Sequence, residues 1–251
     1  MRYLNLVRAI VVSQHQLREH GTFFGFAWSF LHPLLLVLVL FFFFHARIGS
    51  GIPHYEIYLL IAMIHFTHFS NATSSAMTIL HSARQLTCNA ILPKDALVLG
   101  TALSQTLTLV VSMSICVALA WVFGAPRSWS VAWLPLVLGL HLLLVLWVSL
   151  ALACVYVFVK DTFYLYQVAL RVLFLVTPIF YAADLIGDGP ARWLLVFNPL
   201  FWVIEFSRTL IIDGASVTTT RLVAFAVANA VCAWAAFRLF KRLEPSFAEY
   251  V

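Results

Sequence analysis

The chain has 251 residues, of which 63% are hydrophobic and only 10% charged, with a mean hydropathy of +0.97 and a net charge of +5. Soluble domains run at roughly 45–50% apolar and about 25% charged, so a water-soluble globular enzyme or nucleic-acid-binding domain is excluded. Six long apolar segments fill most of the sequence, and each approaches the roughly 20 residues that a helix needs to cross a bilayer. Backbone polar groups must be satisfied internally in lipid. The expected fold is therefore all-α and polytopic, a single domain over residues 1–251 with six transmembrane helices.

In chain order, residues 1–24 lead into the first span, and Arg2 to Glu19 within them reads as an interfacial helix. Tyr3, Leu6, Ile10 and Leu17 recur at helical spacing while Asn5, Arg8 and His15 fall on another face, the pattern of a helix lying in the headgroup layer. The first span runs from Phe26 to Phe44 and ends in eleven unbroken apolar residues, Leu34 to Phe44. The second, Ile57 to Ile79, carries His65 and His68 on one side. Two imidazoles at that spacing could ligate a metal, but no third ligand is close in sequence, and a packed polar pair is the better reading. A compact loop at 81–95 has residues for a few helical turns that must stop by Leu92, because Pro93 disfavours a helical residue before it.

The third and fourth spans, Ala96 to Phe123 and Val131 to Val159, are followed by a tight turn at Lys160-Asp161. The fifth, Leu165 to Tyr181, contains Arg171, which should face a cavity or a partner because lipid exposure of a charge is costly. Residues 183–218 are harder to classify. They hold Asp184, Asp188, Arg192, Glu205, Arg208 and Asp213, yet Trp193 to Phe206 is mostly apolar, too short to span, and interrupted by Asn198-Pro199. Two short helices broken at that dipeptide and dipping from the outer face fit this pattern. Glu205 and Arg208, one turn apart, suit a structural ion pair or a substrate contact. Leu222 to Phe240 is the last span.

Charge sets the orientation. Six spans put both termini on one side, which then holds nine basic residues, including Arg8, Arg18, Arg84, Lys94 and Lys241, against five opposite. The basic side is cytoplasmic. Trp28, Trp121, Trp129, Trp133, Trp193 and Trp202 fall near predicted interfaces, where an aromatic belt belongs. Cys88, Cys116, Cys154 and Cys232 lack metal-ligand spacing and read as buried small hydrophobes. No small-residue cleavage site follows a short apolar core near the N-terminus, so no cleaved signal peptide is expected. No Gly-rich loop ending in Lys-Ser or Lys-Thr occurs, so the common P-loop route to ATP hydrolysis is closed to this chain. Asp184 and Asp188 have the spacing of a diphosphate-binding pair in membrane prenyltransferases, but the second motif such enzymes need is missing. An ion-coupled carrier is disfavoured by the shortage of carboxylates within the spans.

Short motifs occur in a fixed order. Arg18, Thr22, Gly25, Trp28 and Pro33 introduce the first span, Leu92-Pro93-Lys94-Asp95 closes the first loop, and Lys160-Asp161 forms the second. Thr177-Pro178-Ile179-Phe180-Tyr181 ends the fifth span ahead of Asn198-Pro199, and Lys241-Arg242-Leu243-Glu244 and Phe247-Ala248-Glu249 end the chain. This series resembles the ABC-2-type permeases that export lipid-linked polysaccharides such as O-antigen, capsule and teichoic acid. Glu19, where the family has an aromatic, and Lys160, where it has arginine, depart from the pattern. Drug or lipid exporters of the same permease type are the alternative, and a membrane prenyltransferase is the alternative of another class.

The resemblance implies a second copy of the chain, two separate P-loop ATPase subunits carrying ATP and Mg, and a bacterial inner-membrane location. It also implies a cytoplasmic coupling helix in the loop at 81–95, with Arg84, Gln85, Asn89, Leu92, Pro93 and Lys94 meeting the ATPase alongside Arg8 and Arg18. Residues 183–218 would form an outer gate. Arg171, Tyr181, Asn198, Pro199, Trp202, Glu205 and Arg208 would line the gate or the channel.

Overall fold

The computed structural model describes residues 2–19, 27–46, 49–87, 93–186, 189 and 191–250. Among them there is no strand. The helices are α1 (Arg2–Glu19), α2 (Ala27–Phe44), α3 (Tyr55–Ser82), α4 (Arg84–Thr87), α5 (Lys94–Ser104), α6 (Thr106–Val122), α7 (Leu134–Phe158), α8 (Thr162–Val176), α9 (Ala191–Val196), α10 (Pro199–Ile211), α11 (Thr219–Leu243) and α12 (Phe247–Tyr250). Short 3-10 turns occupy Gly49–Gly51, Trp129–Trp133, Ala183–Ile186 and Glu244–Ser246.

Helices lie in all six apolar segments, but the segments are not equivalent. Three stretches are clearly long and apolar enough to cross a membrane: Lys94–Val122, Trp129–Phe158 and Thr219–Ser246. The apolar part of α2, Leu34–Phe44, and α8 are shorter. Helix α3 has the length, 28 residues or about 42 Å, but carries histidines, serines, threonines and an asparagine. It can, because it is the central helix. It packs on α2, α5, α6, α7, α8 and α10, and seventeen of its residues are buried. A helix enclosed by other helices needs little of the hydropathy that lipid contact demands.

The stretch Lys94–Val122 is jointed at Gln105, between α5 and α6. The Ser104 hydroxyl donates to the carbonyl of Thr101 at 2.7 Å, while the Gln105 N–H turns to the carbonyl of Ala102 at 3.3 Å. A side chain that enters the helical ladder in this way bends the helix.

Helix α1 lies along α5. The close approach is made at Gly100, where an added Cβ would stand 2.8 Å from Ile10 Cγ2 and 3.0 Å from Ile10 Cβ. The branched isoleucine Cβ cannot swing away, so Gly100→Ala should lift α1 off its seat at a cost of about 1–3 kcal/mol, the usual penalty of overpacking. Limited proteolysis within α1 is the readout. Faster cleavage in the variant, reversed by adding Ile10→Ala, is the expected result; cleavage unchanged by Gly100→Ala would mean that α1 is held elsewhere.

Candidate functional site

Two polar clusters lie at opposite ends of the helix bundle. The first gathers where both chain ends meet α5. Helix α5 begins after Pro93, which gives it no side-chain cap. Glu244, from just beyond α11, fills that role. Its Oε1 accepts the Lys94 N–H at 2.9 Å, and its backbone carbonyl accepts Lys94 Nζ at 3.0 Å. A carboxylate suits this place because the first turn of a helix presents unpaired N–H groups and positive dipole. Next to it, buried Asp95 accepts Lys241 Nζ on Oδ1 at 2.6 Å and the Tyr3 hydroxyl on Oδ2 at 2.7 Å, while Lys241 also reaches Glu244 Oε2 at 3.0 Å. Burial and the carboxylate acceptor push the Tyr3 phenol well above its usual range. Tyr3, Lys94, Asp95, Lys241 and Glu244 thus form a collar that ties α1, α5 and α11 together.

The second cluster holds the turn after α8. Arg208 of α10 is buried and donates from Nη1 to the Pro178 carbonyl at 2.9 Å, from Nη2 to Ile179 at 3.1 Å and Tyr58 at 3.2 Å, and from Nε to Tyr58 at 3.4 Å. Its guanidinium carbon stands 3.3 Å from the centroid of the Tyr58 ring, a cation–π stack. The cation therefore sits just past the C-terminus of α8, where carbonyls and dipole are negative. The Tyr55 hydroxyl donates to the Phe180 carbonyl at 2.7 Å and the Tyr58 hydroxyl to Tyr181 at 2.8 Å. Tyr181 folds back, its hydroxyl donating to the Val176 carbonyl at 2.8 Å.

Asn198 joins this turn to the broken segment. Its Oδ1 caps α10, accepting from the Leu200 and Phe201 N–H groups at 3.0 and 3.4 Å, while Nδ2 donates to Thr177 Oγ1 at 2.7 Å. Pro199 fits the first helical position, where no N–H is needed. Asn198→Ala should destabilise the protein by about 1–2 kcal/mol, the value of a lost cap, and Asn198→Asp by less, since the cap acceptor survives. Thermal unfolding in detergent distinguishes them; equal losses would place the cost in the Thr177 contact instead.

Between the clusters, three histidines pack in the bundle interior. His68 Nδ1 and His141 Nε2 lie 2.9 Å apart, His65 Nε2 is 2.9 Å from Ser207 Oγ, and the His65 and His141 rings are 4.8 Å apart at their centroids. The rings hydrogen-bond to one another and to α10, and among the described residues no group of three His, Cys, Asp or Glu side chains is arranged to hold a metal ion.

Several expectations change in this light. Lys94 faces inward onto Glu244 rather than outward with Arg84 and Gln85, which are exposed on the single turn of α4. Glu205 makes no ion pair with Arg208 among the described residues, because carbonyls take the guanidinium N–H groups. Arg171, expected to face a cavity or a partner, is exposed on α8 and itself lines a cavity of about 370 Å³ with Phe66, Ser70, Gln167 and Phe174. Cys116 and Cys154 are buried, but Cys232 of α11 is exposed. Trp202 is held by its indole N–H on the Val196 carbonyl at 2.9 Å, and Arg8 is exposed. Asn89, Leu92, Cys88, Asp188 and the Arg18 side chain lie outside what the structure describes.

Tyr55, Tyr58, His141 and Asn229 were not singled out by sequence. Tyrosines spaced three apart at the start of an apolar helix were the available signal for the first two. For the others no local signal exists, since their partners come from distant helices.

Residues 5–212 match the family model described as ABC-2 type transporter, and the chain belongs to that family. A protein named O-antigen export system permease protein RfbA, from Myxococcus xanthus, is 25% identical over 251 residues, covering 100% of this chain and 96% of its own length. Two proteins of the same name from Klebsiella pneumoniae are 24% and 25% identical over 212 residues, covering 84% of this chain and 81% of theirs.

Proposed function

We propose that this ABC-2 permease is the membrane subunit of an ATP-driven exporter that moves lipid-linked, O-antigen-like polysaccharide from the cytoplasm across the bacterial inner membrane. The observation that carries the reading is the end-to-end similarity to an O-antigen export permease, with no segment of this chain left over. The remaining parts of the reading follow from it. Two copies face each other and each binds one P-loop ATPase, which holds ATP and Mg. Six helices span the membrane with both termini in the cytoplasm, the side that the basic residues favour.

On this reading the collar lies at the cytoplasmic face and the Arg208 cluster at the outer one. Arg84 and Gln85 on α4, together with Asn89 and Leu92, meet the ATPase, and α1 lies beside them through α5. Closure of the ATPases pushes on this loop. The collar passes the load to α1 and α11, and the outer pair α9 and α10 gives way around Asn198. The apolar outer face of α8, with Tyr164, Leu165, Val168 and Val172 exposed and Arg171 among them, meets the second copy and the passing glycan.

Purification of the tagged chain from native membranes in a gentle detergent tests the assembly. A stoichiometric P-loop ATPase, with loss of surface polysaccharide when the gene is deleted, is the expected result. Deletion that leaves surface glycans unchanged would overturn the substrate class, and a chain that purifies alone would overturn the exporter. Arg84→Glu should leave folding intact, because the side chain is exposed, and should lower export per ATP hydrolysed by about tenfold, the effect of losing about 1.4 kcal/mol at the coupling contact. Unchanged export in that variant would remove α4 from the coupling surface.

A further inference from the structure

A cavity of about 490 Å³ separates α11 from the broken segment α9–α10, with α7 behind it. It falls within the roughly 300–1,000 Å³ of small-molecule sites. Its walls are aromatic and already fixed. Trp202 is held through its indole N–H on Val196, and Trp147 donates to Asn229 Oδ1 at 3.0 Å. Asn229 in turn donates to the Phe225 carbonyl at 3.0 Å. These polar atoms of the wall are thus spent within the protein, and the groove surface is mostly apolar. Exposed Ala228 leaves room along α11. From Arg221 at one end to Cys232 at the other the groove runs eleven residues of helix, about 16 Å.

The mouth differs from the groove. Arg221 is exposed there, its guanidinium carbon 6.0 Å from the Trp202 ring, and among the described residues no carboxylate lies within ion-pair distance of it. Glu205 feels its charge from a distance. A half-open apolar groove with one cation at its end is complementary to an amphiphile with an acyl chain and an anionic head.

We propose that this cavity binds an anionic glycerophospholipid, one acyl chain lying between Trp147, Trp202 and Phe225 and the phosphate on Arg221. The site lies against α9 and α10, so its occupant braces the segment that breaks at Asn198-Pro199. The inference depends on the cavity alone and stands apart from the identity of the exported molecule.

Native mass spectrometry of the detergent-purified chain tests it, with dioleoyl phosphatidylglycerol and dioleoyl phosphatidylcholine as probes. One phosphatidylglycerol per chain should bind about fivefold more tightly than phosphatidylcholine, the ratio expected for one arginine near an anionic headgroup. Arg221→Gln, at an exposed position that leaves folding intact, should abolish the preference while still binding both lipids. Ala228→Trp should fill the groove and lose both, and inorganic phosphate should not compete. Retained preference in Arg221→Gln would overturn the headgroup assignment. Undiminished binding in a folded Ala228→Trp, or displacement by inorganic phosphate, would overturn the lipid site.

Discussion

Arg208→Met should unfold the end of the bundle that holds the turn after α8 before any other part. The substitution keeps length and apolar bulk but leaves the carbonyls of Pro178 and Ile179 without the donors they have now. An orphaned buried acceptor costs about 1–3 kcal/mol, so two of them plus the lost Tyr58 stack predict a destabilisation of about 3–5 kcal/mol. That is a large fraction of the roughly 5–15 kcal/mol that holds a domain together. Arg208→Lys should recover less than half of the loss. An ammonium can reach one or two carbonyls, but it lacks the planar fork that serves three at once and stacks on a ring. The check is thermal unfolding followed by size-exclusion in detergent, with export measured alongside. A methionine variant that melts like the parent would mean that the turn is held by Tyr55, Tyr58 and Asn198 without the cation.

The second large effect belongs to Asp95. Its carboxylate serves α1 through Tyr3 and α11 through Lys241, so Asp95→Ala removes both ties in one step. Lys241 keeps 38% of its side chain in solvent, which argues against the 3–5 kcal/mol of a fully buried pair. The charged hydrogen bond predicts about 1.5–3 kcal/mol, and the tyrosine bond adds about 1. Lys241→Met should cost less than Asp95→Ala, because Tyr3 keeps its acceptor and Glu244 still caps α5. Tyr3→Phe and Lys241→Met combined should approach the effect of Asp95→Ala. Unfolding midpoints of the three variants decide the matter; if Lys241→Met alone equals Asp95→Ala, Tyr3 contributes nothing.

These two residues mark where sequence reading reaches and where it stops. The break at Asn198-Pro199 was legible because a helix N-cap followed by proline is a local signal, and the structure has α9 and α10 meeting there. The helical character of the apolar segments was legible for the same kind of reason. Arg208 invited pairing with Glu205 three residues before it, since helical spacing is all that a sequence offers. Its actual partners lie 29, 30 and 150 residues away. Lys94 looked like a surface charge because its neighbours gave no hint of Glu244, 150 residues on. The three-histidine cluster was half visible. His65 and His68 share a helix face, and His141 joins them only through the packing of α7 on α3. Contacts made across the bundle leave no period in the sequence, which is why the interior ties were missed and the helices were not.

The joint at Gln105 has a mechanical meaning. Below it, α5 is clamped to α1 and to the end of α11; above it, α6 runs free of those clamps toward Trp121. A torque applied at Lys94 would turn a stub of 11 residues, with the joint at Gln105 taking up motion that an unbroken helix would pass on. In the exporter proposed above, this stretch would act as a shock absorber, and α3 and α11, which have no such joint, would carry the load along the bundle.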